Sequence, residues 1–290
     1  MSGGFDVIRL MALVDGSIYS QSVCEHAAWA ASGANSTVGL LHVLGRRDGS
    51  STPANLSGNL DVEARSTLLA ELASLDEQKA KLAQRRGRVI LEEAKARLID
   101  DGIPNVATNL RNGDLIETVL EFEPDVDLIV VGKRGEAADF AKLHLGSNLE
   151  RVVRSTSKPV LVAARAFKPV KKFMIAFDGG ASAMKAVDHI AGSSLFAGLN
   201  CQLLSAGPDT GDTRRLLDSA ASKLRSNGYD VEADVEVGTA DKVIAKRVEA
   251  DNIDVLVMGA YGHSRIRSLI IGSTTTEMIR SCMIPIMLFR

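Results

Sequence analysis

Aromatic residues make up only 4% of this 290-residue chain, and cysteines number three. No run of about 18 apolar residues occurs anywhere. Each scarcity excludes something. With so few aromatics, a sandwich of aromatic-rich strands is disfavoured against packing of helices on strands. Cys24, Cys201 and Cys282 lie far apart and form no CxxC pair, so no disulfide framework is expected and a reducing cytoplasm is the plain reading. The first ten residues hold no basic stretch followed by a long apolar one, so neither export nor a membrane is expected. A net charge of −2 gives no long-range pull on nucleic acid. The histidines, His26, His42, His144, His189 and His263, show no ligand spacing, so no metal site is expected. Neither a GxxxxGK[ST] loop nor a recognised general-base constellation is present, so no catalytic residue can be named.

What is present is a hydrophobic content of 46%, rich in Ala, Leu and Val, on a length that holds about two domains. The chain is organised around residues 259–276, GAYGHSRIRSLIIGSTTT. This stretch follows an apolar run, opens with two glycines three apart, and returns after nine residues to Gly272, Ser273 and three threonines. Glycine lets a backbone approach a ligand closely, and hydroxyl residues at a helix start offer amide and side-chain donors to an anion. That is a phosphate cradle. A weaker version occupies 132–148, GKRGEAADFAKLHLGSN.

Short apolar runs at 7–14, 37–44, 105–110, 127–131 and 159–163 read as strands buried in a parallel sheet, with helices at 18–32, 115–123 and 148–156 between them. Ser17 is placed to cap the first helix. Residues 46–60 read as a loop, and 60–101 as a long helical pattern broken softly near Gly87, a bent helix or hairpin covering the body. After the basic linker 166–172 the pattern restarts: strands at 173–177, 201–206, 231–237, 254–258 and 285–289, helices at 182–195, 210–227, 239–250 and 275–281. Strands alternating with helices at this spacing mean right-handed βαβ units.

The two cycles superimpose by subtraction. Gly132 and Gly259 are 127 residues apart, Gly146 and Gly272 126, Pro159 and Pro285 126, whereas Asp15 and Asp178 are 163 apart. The first half therefore carries about 37 extra residues, which the loop and long helix between its second and third strands must absorb. The chain is a tandem duplication, with 1–166 as one expected domain and 167–290 as the other.

Gly259, two residues, Gly262, nine residues, Gly272 and Ser273 resemble the nucleotide-binding motif of the universal stress protein (UspA-like) family. The resemblance covers both halves: an apolar strand ending in Asp, a glycine loop after strand four, a Gly-Ser helix start and a closing strand introduced by Pro. It implies an α/β fold of two tandem open parallel five-stranded sheets with helices on both faces, Rossmann-like and related to the adenine-nucleotide α-hydrolases. In such sheets ligands sit beyond the carboxyl ends of the strands at the switch point. The family's contacts, carried onto the second half, place Ala176, Phe177 and Asp178 near the adenosine and Ala206 in the adenine pocket. Met258, Gly259 and Gly262 follow the ribose and phosphates, with His263 or Arg265 adding charge, and Gly272, Ser273, Thr274 and Thr275 hold the phosphates.

The first half departs from the pattern. Gly135 and Gly146 enclose ten residues, and Gly146-Ser147 runs on into Asn148-Leu149-Glu150 rather than threonines. Asp15, Val43, Gly132, Gly135, Gly146, Ser147 and Asn148 are its weaker nucleotide candidates, with Lys133 and Arg134 adding positive charge and Glu150 opposing them. Asp15 and Asp178 can also be read simply as turn and capping residues. The resemblance implies ATP or another adenine nucleotide with Mg2+, and a stress or signalling role through assembly or partner choice. Slow ATP hydrolysis or adenylyl transfer, and a scaffold with both sites vestigial, are the alternatives. It further implies pairing of the two last strands, 160–163 against 286–289, within the chain or between two chains as a homodimer.

Overall fold

The computed structural model describes residues 8–32, 36–45, 62–133, 147–260 and 271–290. Continuous apolar runs become buried parallel strands because both of their faces are covered by helices. The first half holds β1 (Arg9–Leu13), α1 (Tyr19–Ala31), β2 (Thr37–Leu44), α2 (Val62–Asp100), β3 (Val106–Asn112), α3 (Leu115–Phe122), a 3-10 turn (Glu123–Asp125), β4 (Leu128–Gly132), α4 (Ser147–Ser155) and β5 (Val160–Ala163). The second holds β6 (Lys172–Ala176), α5 (Ala181–Gly192), β7 (Asn200–Ala206), α6 (Gly211–Ser226), β8 (Val231–Glu236), α7 (Ala240–Ala250), β9 (Val255–Gly259), α8 (Ser273–Ser281) and β10 (Ile286–Phe289).

The two expected five-stranded sheets are joined edge to edge, by the pairing of 160–163 with 286–289 within the chain, into one ten-stranded sheet ordered β3-β2-β1-β4-β5-β10-β9-β6-β7-β8. Within each half all pairs are parallel, and the halves join by an antiparallel ladder in which Ile286 faces Val162, Met287 faces Leu161 and Leu288 faces Val160. An open edge strand is a row of unpaired amides and carbonyls, and two such edges on one chain satisfy each other. Alternation along the strands then splits the core into two layers. Leu10, Ala12 and Val14 point into the layer built with α1, α2, α5 and α6, while Met11 points into the layer with α3, α4, α7 and α8. Both layers contain residues of both halves, so the core runs through the seam.

Side chains also cross the seam. Lys133 Nζ donates to the Cys282 carbonyl just past α8 (2.6 Å), and Arg290 donates to the Arg154 carbonyl in the last turn of α4 (2.7 Å). Each half thus sets a cation on a helix C-terminus of the other, where the helix dipole favours it. Lys133 was expected to add charge to the first glycine loop, but its ammonium is drawn to a carbonyl of the opposite half.

The long helix is the second difference from expectation. It runs unbroken for 39 residues through Gly87. The glycine is there for close approach rather than for a break: a methyl group on it would lie 2.7 Å from Leu110 Cδ1 and 2.9 Å from His42 Cδ2. The helix lies close over β2 and β3 at this point, and a larger residue would have to push Leu110 and His42 aside. The turns after β1 and β6 show where the extra length lies. Gly16 and Gly179 both take the left-handed conformation (φ 76° and 74°), which favours glycine, and each is overlaid by a helix, through Ile90 and Leu216 respectively. Ile90 and Leu216 are 126 residues apart, so α6, which starts five residues before Leu216, corresponds to α2 from residue 85 onward. Residues 62–84 have no counterpart and extend α2 by roughly 35 Å at 1.5 Å per residue.

Candidate functional site

The strand order reverses between β6 and β9 in the second half and between β1 and β4 in the first. A crevice opens beyond the carboxyl ends of strands at each such point, because the connections on either side run to opposite faces. In the second half Ala176 and Met258 are register partners at the ends of β6 and β9. Phe177 and Met258 are buried, at 3% and 5% exposure, while Ala176 and Ala206 are partly exposed. The amide of Phe177 is held by the Leu204 carbonyl (2.8 Å), which fixes the end of β6 against β7.

Asp178 closes the turn after β6: its Oδ1 accepts the Gly180 amide at 2.8 Å. In the first half Asp15 Oδ1 accepts the Ser17 amide (3.0 Å) and lies 3.3 Å from the donating Ser20 hydroxyl. Both aspartates therefore shape a βα turn, whatever else they hold. Ser17 Oγ accepts the Tyr19 amide (3.2 Å), although the helix proper starts after Ile18 with no side-chain cap.

Gly259 and the start of α8 form the described part of the cradle. A methyl on Gly259 would meet Ser182 Cβ at 2.9 Å and the Ala183 nitrogen at 3.4 Å, so α5 presses on the backbone here and only glycine fits. The loop ends are tied together: the Gly272 amide donates to the Ala260 carbonyl (3.1 Å), and the Ala260 amide to the Phe289 carbonyl (2.7 Å). Thr275 is buried and its hydroxyl donates to the Gly259 carbonyl (3.1 Å), so that hydroxyl serves the loop closure. Ser273 is exposed and Thr274 partly exposed. Gly272 is the N-cap, no side chain caps α8, and its first turn holds no acidic residue. A helix start in this state presents amide donors and the positive end of the helix dipole to an anion. Gly262 and His263 lie outside the described residues.

The first half is built differently at the same place. A cavity of about 220 Å³ is lined by Asp15, His42, Leu44, Lys79, Leu82, Ala83, Arg86 and Ile90. Five of its eight lining residues come from α2, so this helix walls the crevice of the first half. His42 donates from Nδ1 to the Val14 carbonyl (2.7 Å), fixing the ring between β1 and Gly87 of α2. The sequence pointed to Asp15 and Val43 but not to His42, Lys79 or Arg86. The only signal for the latter two was that the 37 extra residues had to lie near β2. Gly132 ends β4 as expected, Asn148 is exposed, and Glu150 pairs with Arg154 (3.7 Å) along α4. Gly135 and Gly146 lie outside the described residues, as does the side chain of Ser147.

The three cysteines are buried, and burial pushes the Cys24 and Cys201 thiols up to about 12. They are packing residues rather than nucleophiles. Among the described residues no group of three or more His, Cys, Asp or Glu is placed to hold a metal ion, and no helix is long and apolar enough to cross a membrane.

Comparison with known proteins agrees with this geometry. The model of the universal stress protein family matches residues 8–164 and 201–290. The universal stress protein Slr1230 of Synechocystis sp. is 37% identical over 285 residues, covering 97% of this chain and 99% of its own length. Among solved structures, a universal stress protein from Archaeoglobus fulgidus superimposes with a TM-score of 0.71 at 20% identity, over 97% of this chain and 96% of that one. PA1789 of Pseudomonas aeruginosa, described as functionally unknown, does so with a TM-score of 0.61 at 16% identity, over 98% and 92%. At those identities the solved structures establish the fold, and the family assignment rests on the motif, the family model and the full-length relative. The chain belongs to the universal stress protein family.

Proposed function

We propose that the second half binds an adenine nucleotide, ATP in the first instance, and that occupancy alters assembly or partner choice rather than driving efficient turnover. The observation that carries this reading is the start of α8: a glycine N-cap, exposed Ser273 and Thr274, no capping side chain and no acid in the first turn, all beyond the end of β9. Amides of residues 273–275 would hold the phosphates, with the Ser273 and Thr274 hydroxyls beside them, the Gly272 amide being engaged with the Ala260 carbonyl. Thr275 would contribute its amide only, since its hydroxyl is engaged with Gly259. Ala176, Phe177, Asp178 and Ala206 would line the adenosine, and Met258 and Gly259 the ribose. Gly262 and His263 would join from the loop between them. Mg2+ would arrive with the phosphates, which supply most of its oxygen ligands in such sites.

The first half is proposed not to take a whole nucleotide. Its crevice is walled by α2, which sets Leu82, Ala83, Arg86 and Ile90 beside Asp15 and His42 around a cavity of about 220 Å³. One nucleotide per chain is therefore expected. Mass spectrometry of small molecules released on denaturing the gently purified protein, with titration calorimetry, reads both identity and stoichiometry. Gly272→Val should abolish binding with little loss of stability, because its backbone (φ −55°, ψ 144°) suits any residue. Absence of nucleotide and of ATP binding near millimolar would leave the scaffold reading standing, and rapid phosphate release would favour an enzyme.

A further inference from the structure

The stretch 62–84 of α2 has no counterpart in the second half, and the helix bears apolar side chains the fold does not bury. Leu75, Leu82 and Val89 recur every seven residues and are 50%, 67% and 55% exposed. Leu69 is likewise 50% exposed, while Leu68 and Leu72 are partly so. The residues buried against the body, Gly87, Leu91, Ala94 and Leu98, lie on a different stripe, and Lys79, Leu82 and Arg86 of the exposed one edge the first-half cavity with their exposed side chains. A second apolar stripe with a seven-residue period is the pattern of a two-stranded coiled coil. With Leu68, Leu75, Leu82 and Val89 at d, the a positions are Leu72, Lys79 and Arg86, and Glu71 and Arg85 fall at g.

The charges choose both partner and direction. In a parallel pair a faces a, which would set Lys79 on Lys79 and Arg86 on Arg86, and the g-to-e contacts would bring Glu71 against Asp76. In an antiparallel pair a faces d. Centred on residue 77, that register sets Leu72 against the partner subunit's Leu82, and Leu75 against the aliphatic stem of the partner subunit's Lys79. It also brings Glu71 to the partner subunit's Arg85, and the two-fold axis repeats each contact. The one like-charge contact in that register is Asp76 against the partner subunit's Asp76 at the two-fold axis, against two Glu71–Arg85 pairs, so the helix is more complementary to itself when reversed. We propose that α2 pairs antiparallel with the α2 of a second copy, making the chain a homodimer held by a short coiled coil over about residues 68–86.

Sedimentation or light scattering on the full-length chain from about 1 to 100 µM tests this. The mass should rise from that of one chain to that of two. Leu75→Glu with Leu82→Glu, both at exposed positions, should hold the protein monomeric throughout with its thermal unfolding unchanged. Glu71→Arg alone or Arg85→Glu alone should weaken dimerisation several-fold, and the two together should restore it. A wild type that stays monomeric at 100 µM would overturn the proposal. So would a dimer that survives the two leucine changes, which would lie at a sheet edge instead, or a double charge swap that fails to restore association.

Discussion

Gly87 sets two residue-scale effects against each other. Replacing a helix-interior glycine by alanine ordinarily stabilises by about 1 kcal/mol. Here the new methyl would lie 2.7 Å from Leu110 and 2.9 Å from a His42 ring anchored to the Val14 carbonyl. Leu110 can turn aside but the ring cannot, and overpacking costs about 1–3 kcal/mol. Gly87→Ala should therefore lower stability by about 1 kcal/mol, seen as a lower urea midpoint at unchanged slope, while a raised midpoint would mean the helix stands further off. His26 makes a pH prediction. It is fully buried on α1, donates from Nδ1 to the Ser22 carbonyl (2.7 Å), meets Phe167 edge-on, and leaves Nε2 without a partner. Burial holds its pKa below the ordinary value, with the Ser22 carbonyl and Glu25 opposing weakly. The unfolded chain then binds a proton that the folded one refuses, so stability falls as pH drops below about 6.5, by up to about 1.4 kcal/mol per pH unit per such group. His189 shares the direction. The carboxylates with lowered pKa, Glu77, Asp114 and Glu123, lose their contribution at lower pH, so the window from about 6.5 to 5 belongs to the histidines. His26→Leu should flatten the stability slope in that window, and an unaltered slope would assign it elsewhere.

At the scale of elements, helix starts differ in their caps. Those of α1, α5 and α8, which follow strands flanking the two crevices, make no side-chain cap bond, and neither does that of α7 after the edge strand β8, whereas Thr210 caps α6 and Asp114 caps α3 through the amides of Ile116 and Glu117. Asp114 also binds Arg151 of α4 (2.6 Å), joining two helices of one layer. Asp114→Ala should cost about 1 kcal/mol for the lost cap, and Asp114→Asn, which keeps the cap acceptor, distinctly less. Equal losses would shift the weight to the Arg151 pair. Such elements were largely legible in the sequence: the apolar run 37–44 is β2 to the residue, and the repeat spacing of 126 reappears in the matched contacts of Ile90 and Leu216. The break expected at Gly87 was not legible as contact, because a glycine in a helical pattern reads alike whether it bends the helix or admits a neighbour. Thr275 was legible as part of the cradle but not as the residue that ties the loop, since a hydroxyl's partner depends on a backbone 16 positions away.

At the scale of the whole molecule, spacing revealed two halves but could not show that they share one sheet, since edge pairing leaves no periodicity in either half. The seam is the short β5·β10 ladder, two core layers that pass through it, and the cations Lys133 and Arg290 on opposite helix ends. Leu161 and Met287, register partners there, are both fully buried. A seam so apolar should couple the halves, so calorimetry should show a single unfolding transition although the chain is a duplication. Truncating Leu161 to Ala opens a cavity in that layer at about 2–5 kcal/mol. If the coupling is as tight as the shared core implies, that substitution should lower the one transition without splitting it. Arg290→Ala, at the rim, should shift it far less, because a charge-assisted bond to an already paired helix end is worth about 1 kcal/mol. Two resolved transitions in the wild type would mean that the ladder joins halves that still fold alone. Two transitions appearing only in Leu161→Ala would place the coupling in that one buried contact.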